Sequence, residues 1–149
     1  LGMHSYSHQY KEIYQSMDAF QADYERISNC LTAATGIKPL YYRFPGGSTE
    51  VTEKLQMTDL DAYFNAQGAS YFDWNVIDAN NRTDDVSVNK MVDSVMNGVA
   101  LYDTSIVLMY DSVDRKMTAK SLDSILDYLL KNGYEILPID ENTIPIHHS

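Results

Sequence analysis

SIVLMY, at residues 105–110, is a nearly continuous apolar stretch, which is typical of a β-strand buried on both faces. Strands of this kind occur in parallel sheets whose faces are covered by helices. The stretch therefore favours an α/β fold with a mainly parallel sheet, provided that helices lie between the strands along the rest of the chain.

Helical and strand patterns alternate on both sides of this stretch. Ser16 is suited to cap a helix that ends at Gly36, and Thr118 is suited to cap a later helix that ends at residues 132–133. Two further helices are predicted at residues 58–67 and from residue 88 onward, and three further strands at residues 40–44, 70–77 and 135–139. Such alternation with short connections indicates crossover units and a parallel sheet.

No break in composition divides the chain, so we predict a single domain over residues 1–149. Residues 80–85 are polar and predict a turn. Residues 145–149 are predicted to be a loose polar tail.

The composition excludes some classes of partner. The chain carries 21 acidic and 11 basic residues and a net charge of −10, which argues against nucleic acid and anionic membranes as partners. No apolar run reaches the roughly 18 residues of a membrane span. Cys30 is the single cysteine, so no disulfide forms within the chain. A neutral ligand remains compatible with this charge.

Chemically reactive side chains are expected at the ends of strands, because ligands gather at the carboxyl edge of parallel sheets. Three segments follow predicted strands in this way, at residues 43–47, 73–78 and 110–111. In addition, His4 and His8 are four residues apart and face one point if the segment makes a helical turn. Imidazole is a common metal ligand, although an exposed pair without a metal is the alternative.

Four segments together resemble the polysaccharide deacetylases, the NodB-homology or carbohydrate esterase 4 family. HSYSH at residues 4–8 resembles the family's His-Ser/Thr-x-x-His metal motif, and RFPGG at residues 43–47 resembles its arginine motif. DWNV at residues 73–76 stands where the family has a Trp- and Asp-containing motif. IVLMYD at residues 106–111 resembles the strand that ends in Leu-x-His-Asp.

The resemblance implies part of a distorted (β/α) barrel and a hydrolase that removes N-acetyl groups from peptidoglycan, chitin or a related glycan. It implies Zn²⁺ or another divalent metal held by His4 and His8. It also implies a location outside the cell or at its surface. The glycan is the expected partner. The implied catalytic residues are Arg43, Tyr110 and Asp111, and the implied substrate groove contains Phe44, Pro45, Gly46 and Trp74.

The sequence departs from the family pattern at two points. The family's Thr-Phe-Asp-Asp segment, which supplies the catalytic base and the third metal ligand, has no counterpart, and the pair Asp84 and Asp85 lies in a polar turn. We therefore expect the C-terminal portion of a catalytic domain that lacks its first strand or strands, with an incomplete metal site and no activity by itself. A homo-oligomer that covers the exposed edge is a further expectation.

The second departure is Tyr110, which stands where the family has its catalytic histidine. A free tyrosine side chain has a pKa of about 10, whereas imidazole titrates near neutrality. Two functions therefore stay open at this point. The protein is a metal-dependent deacetylase in which Tyr110 replaces the acid, or it is a carbohydrate-binding relative without catalysis.

Overall fold

A computed structural model describes residues 1–51, 54–79, 86–113 and 115–149. The predicted turn at residues 80–85, with Asp84 and Asp85, lies outside this part of the chain. The elements follow in the order α1 (Tyr10–Ile13), α2 (Met17–Thr35), β1 (Tyr41–Tyr42), a short 3₁₀ helix (Ser48–Glu50), α3 (Met57–Gln67), β2 (Ser70–Tyr71), β3 (Val76–Ile77), α4 (Val88–Val99), β4 (Val107–Leu108) and α5 (Lys116–Lys131).

The ends of α2 confirm the prediction from the sequence. The Ser16 hydroxyl accepts a hydrogen bond from the N–H of Ala19 at 3.2 Å, which satisfies one of the unpaired donors at the start of the helix. Gly36 ends the helix with φ of 75°, a left-handed conformation that costs glycine little. The helix is therefore well fixed at both ends, which matters because one of its side chains supports the site below.

The strands pair in parallel, as predicted. β1 pairs with β2, and Met3 forms a parallel bridge to Tyr42 of β1. β3 pairs with β4. Among the described residues these pairs form two sheets, so the single strand predicted at residues 70–77 is divided between them. Helices separate the paired strands along the chain, which confirms the α/β class.

The chain forms two compact units, which we describe separately. Unit 1 comprises residues 1–73 and 145–149, and unit 2 comprises residues 74–144. The prediction of a single domain stays a prediction. The core of unit 1 is a cluster of aromatic rings whose centroids are 5–7 Å apart, the range in which such pairs attract. It contains Phe20, Tyr24, Tyr42, Phe44, Phe64 and Tyr71.

In unit 2, α4 packs on α5 and on β3. This unit departs from the prediction at several places. Helix α5 begins at Lys116, ahead of Thr118. Thr118 does not cap the helix, because its hydroxyl donates to the buried Asp78 carboxylate at 3.2 Å. Within residues 105–110 the strand is confined to β4, and Leu108 is buried whereas the other side chains are half-buried. Residues 135–139 do not form the predicted strand.

The segment at residues 145–149 is held by unit 1, so the prediction of a loose tail is wrong. The N–H of Asp73 donates to the carbonyl of Ile146 at 2.7 Å, and the Asp73 carboxylate accepts from the N–H of His148 at 2.8 Å. The His147 ring stacks on Tyr71 with centroids 3.9 Å apart.

Candidate metal and catalytic site

The imidazoles of His4 and His8 converge in unit 1. Their Nε2 atoms lie 3.3 Å apart, with His4 half-buried and His8 exposed. The helical turn considered for this segment does not form. The rings meet because Ser5 and His8 adopt left-handed φ values of 65° and 55°. The rings therefore converge through a conformation that the spacing did not predict.

The backbone of the segment at residues 43–47 fixes the orientation of the His4 ring. The Arg43 carbonyl lies 2.8 Å from Nδ1 of His4, and a carbonyl oxygen can only accept. Nδ1 therefore carries the proton and Nε2 keeps its lone pair, an arrangement that commonly orients metal-binding histidines. The N–H of Arg43 donates to the Met3 carbonyl at 3.0 Å, so the two segments are joined through Met3 and through the His4 ring.

The pair has the geometry of two metal ligands. Two nitrogens that bind a tetrahedral zinc ion at about 2.0–2.1 Å lie about 3.3–3.4 Å apart, which matches the separation of the two Nε2 atoms. Within residues 1–51, 54–79, 86–113 and 115–149, no group of three or more His, Cys, Asp or Glu side chains could hold a metal ion. The geometry of the pair is therefore compatible with two ligands of a metal site, and the role of His4 and His8 as ligands stays a prediction.

Burial keeps His4 neutral. Desolvation lowers the pKa of His4 to about 4, with smaller lowering contributions from the charges of Arg43 and His8, against a raising contribution from the hydrogen bond to the Arg43 carbonyl. A neutral imidazole is the form that binds metal. His4 is thus available as a ligand throughout the neutral and mildly acidic range.

This shift predicts a pH dependence that NMR can measure. In the metal-free folded protein the His4 ring should titrate with a midpoint of about 4, against about 6.5 in urea. Because the folded-state pKa is the lower one, His4 favours folding above pH 6.5, and this contribution is lost as the pH falls from 6.5 towards 4. A His4→Gln variant assigns the resonance. A folded-state midpoint above 6 would contradict the burial of this ring.

Asp23 of α2 is a residue of the site that the sequence analysis missed. Its carboxylate accepts hydrogen bonds from the Ser5 hydroxyl at 2.7 Å and from the N–H groups of Tyr6 and Ser7 at 2.9 Å. Partial burial raises the pKa of Asp23, but these hydrogen bonds outweigh it and hold the pKa below its ordinary value. Asp23 lies in the middle of a helix, so no motif or spacing connects it with the histidines.

In the segment at residues 43–47, two of the predicted groove residues are buried. Phe44 is fully buried, with its ring 5.0 Å from that of Tyr71, and Pro45 is also buried, with its carbonyl accepting from the Tyr14 hydroxyl at 2.8 Å. The aromatic core encloses the Phe44 ring, and the groove roles of Phe44 and Pro45 stay predictions. Gly46 is exposed and its role stays a prediction, as does the role of the half-buried Arg43 side chain.

The remaining predicted site residues belong to unit 2. Trp74 is half-buried just before β3, and the adjacent Asn75 accepts from the N–H of Ile106 at 2.9 Å. Tyr110 and Asp111 follow β4 and line a cavity of about 460 Å³. The Arg115 guanidinium lies 5.7 Å from the centre of the Tyr110 ring. The catalytic and groove roles of Trp74, Tyr110 and Asp111 stay predictions.

Comparisons with known proteins agree with the fold and with the family resemblance. A polysaccharide deacetylase family model matches residues 1–64. The catalytic domain of peptidoglycan N-acetylglucosamine deacetylase from Eubacterium rectale is 31% identical with a TM-score of 0.89, over 99% of this chain and 68% of that chain. The chain therefore belongs to the polysaccharide deacetylase family and has its α/β fold. No curated protein sequence matches it significantly.

Two more distant structures show the same fold. A carbohydrate esterase 4 family esterase from Streptococcus mutans is 25% identical with a TM-score of 0.79, over 91% of this chain and 60% of that chain. A pseudoenzyme of the same family from Bacillus anthracis is 20% identical with a TM-score of 0.69, over 90% of this chain and 42% of that chain. The chain thus spans between two fifths and about two thirds of the lengths of these three structures.

Proposed function

We propose that the protein is a metal-dependent deacetylase that removes N-acetyl groups from N-acetylglucosamine units of a glycan such as peptidoglycan or chitin. The observation that carries this proposal is the convergence of the two Nε2 atoms of His4 and His8 at 3.3 Å. Family membership supports the reaction class. The Eubacterium rectale relative, named as a peptidoglycan N-acetylglucosamine deacetylase, supports the substrate class.

His4 and His8 would hold Zn²⁺ or another divalent metal through their Nε2 atoms. When bound, such an ion supplies Lewis-acid polarisation of the acetyl oxygen and lowers the pKa of water. The chain contributes the orientation of the ligands, because the Arg43 carbonyl fixes the His4 ring and burial keeps that ring neutral. A third protein ligand and a catalytic base would come from outside the described residues.

The residues of unit 2 would serve the sugar and the leaving group. Tyr110 would stand in the family's acid position and can donate a hydrogen bond through its hydroxyl, and Asp111 is the next residue in the loop after β4. Trp74 would offer an aromatic face to a sugar ring. In unit 1, Arg43 would orient the base carboxylate.

The proposed partner is the glycan, and the proposed location is outside the cell or at its surface. No helix in the described part of the chain is long and apolar enough to cross a membrane. The homo-oligomer stays a prediction.

Tyr110 favours a second candidate, a carbohydrate-binding relative without catalysis. A phenol is a much weaker acid than an imidazolium ion, so proton transfer to the leaving amine would be impaired. The two candidates share the family fold and the histidine pair, so metal binding does not separate them. Acetate release does.

The test compares the full-length protein and its Tyr110→His variant on N-acetylglucosamine oligomers with added zinc. If the protein is a deacetylase, the wild type releases acetate. If it is a binding protein, the wild type releases none, binds the oligomers in calorimetry, and gains activity in Tyr110→His. Tyr128→His, at an exposed position of α5, is the matched control and should behave as the wild type. Neither acetate release nor glycan binding in any variant would contradict both candidates.

A further inference from the structure

We propose that Asp23 is a positioning residue that holds residues 4–8 in the conformation in which the imidazoles of His4 and His8 converge. The effect on metal binding rests on the proposed function. The effect on the conformation of the loop does not, since it concerns contacts within the metal-free chain.

The contacts of Asp23 span the whole segment between the two histidines. One carboxylate oxygen accepts from the Ser5 hydroxyl at 2.7 Å and from the N–H of Tyr6 at 2.9 Å. The other accepts from the N–H of Ser7 at 2.9 Å. The Ser5 hydroxyl oxygen in turn accepts from the N–H of His8 at 2.9 Å. Asp23 therefore fixes three consecutive residues directly and the backbone of His8 through Ser5.

The loop needs such support because its backbone is unfavourable by itself. Ser5 and His8 have φ values of 65° and 55°, in the left-handed region that is unfavourable for residues other than glycine. Hydrogen bonds to a charged acceptor are stronger than those between neutral groups. The three hydrogen bonds to the Asp23 carboxylate therefore offset the cost of two left-handed residues.

Helix α2 gives the carboxylate a fixed position. Asp23 lies next to Tyr24 and three residues after Phe20, and both of these aromatic side chains are buried in the core of unit 1. The capped 19-residue helix thus connects the core with the loop. The Arg43 carbonyl holds His4 from one side and Asp23 holds the rest of the loop from the other.

Asp23→Asn is the first test. An asparagine keeps one carbonyl oxygen, but its NH₂ group faces an N–H donor on one of the two sides and repels it. We expect zinc affinity, measured by calorimetry on the chain, to fall about 10–100-fold, the usual effect of losing an outer-shell partner. The Co²⁺ absorption spectrum should change as well. Glu25→Gln, an exposed charge change on the same helix, should bind zinc as the wild type.

A second measurement keeps the proposal testable without metal. In the metal-free protein, amide hydrogen exchange at Tyr6 and Ser7 should be at least tenfold faster in Asp23→Asn and in Asp23→Ala, while core amides of α2 are unchanged.

If the wild type binds zinc and Asp23→Asn binds it equally well, the positioning role is overturned and the metal site stands. If the wild type binds no zinc, the metal site falls. In that case faster exchange at Tyr6 and Ser7 supports the positioning role and unchanged exchange overturns it.

Discussion

Zinc binding by this chain is expected to weaken at least about 100-fold when His8 is replaced by alanine. His8 is one of the two proposed ligands, so its loss should cost more than the 10–100-fold typical of an outer-shell partner. His8 is exposed, so the substitution leaves the core of unit 1 intact. Isothermal calorimetry at neutral pH measures the effect. Because two neutral ligands without a carboxylate form a poor site, we expect weak affinity for the wild-type chain.

His148→Ala is the matched control, since it removes another imidazole of unit 1 while its backbone N–H can still donate to Asp73. It should bind zinc as the wild type does. Equal affinity in His8→Ala and the wild type would show that the ion is bound elsewhere. Sub-micromolar affinity that depends on both His4 and His8 would instead reveal a third ligand.

Asp73→Ala is expected to lower the free energy of unfolding by about 2–5 kcal/mol, because several neutral donors lose a charged acceptor. The Asp73 side chain is fully buried. Its carboxylate accepts from the N–H and the hydroxyl of Ser48 at 2.9 and 2.5 Å and from the N–H of His148 at 2.8 Å. Alanine leaves these donors without an acceptor, and each unsatisfied buried donor costs about 1–3 kcal/mol.

Urea unfolding and amide exchange at residues 145–149 measure this effect together. Exchange at His148 should become faster in Asp73→Ala, because its N–H loses its acceptor.

Ser48→Ala is a milder variant that removes one hydroxyl and keeps the backbone donor, with an expected loss of about 1.5–3 kcal/mol. Asp59→Ala, an exposed aspartate of α3, should cost less than about 1 kcal/mol. Unfolding of Asp73→Ala at wild-type urea concentration would contradict the role of this carboxylate.

The elements that the sequence predicted best are those whose ends carry local signals. Ser16 and Gly36 bound α2, and Gly68 ends α3, because capping and left-handed φ depend on a few adjacent residues. The strands were predicted too long. Parallel pairing depends on partners distant in the sequence, and β1 to β4 each keep two paired residues.

The sequence predicted those residues of the candidate site whose chemistry is evident from their residue type. It did not predict the residues whose role depends on tertiary contacts. His4 and His8 were found from their spacing and family motif. Asp23 and Asp73 were not assigned their roles, because each acts through hydrogen bonds to backbone groups that no side-chain pattern announces. The burial of Phe44 in the core was not evident from its motif, because an aromatic residue suits a groove and a core equally well.

X-ray absorption at the zinc edge of the zinc-loaded protein tests most directly whether His4 and His8 form the metal site. We predict scattering from two imidazole nitrogens at about 2.0–2.1 Å, with one of them lost in His8→Ala and both retained in His148→Ala. A spectrum without imidazole scattering, or one that is unchanged in His8→Ala, would contradict the assignment of these histidines as metal ligands.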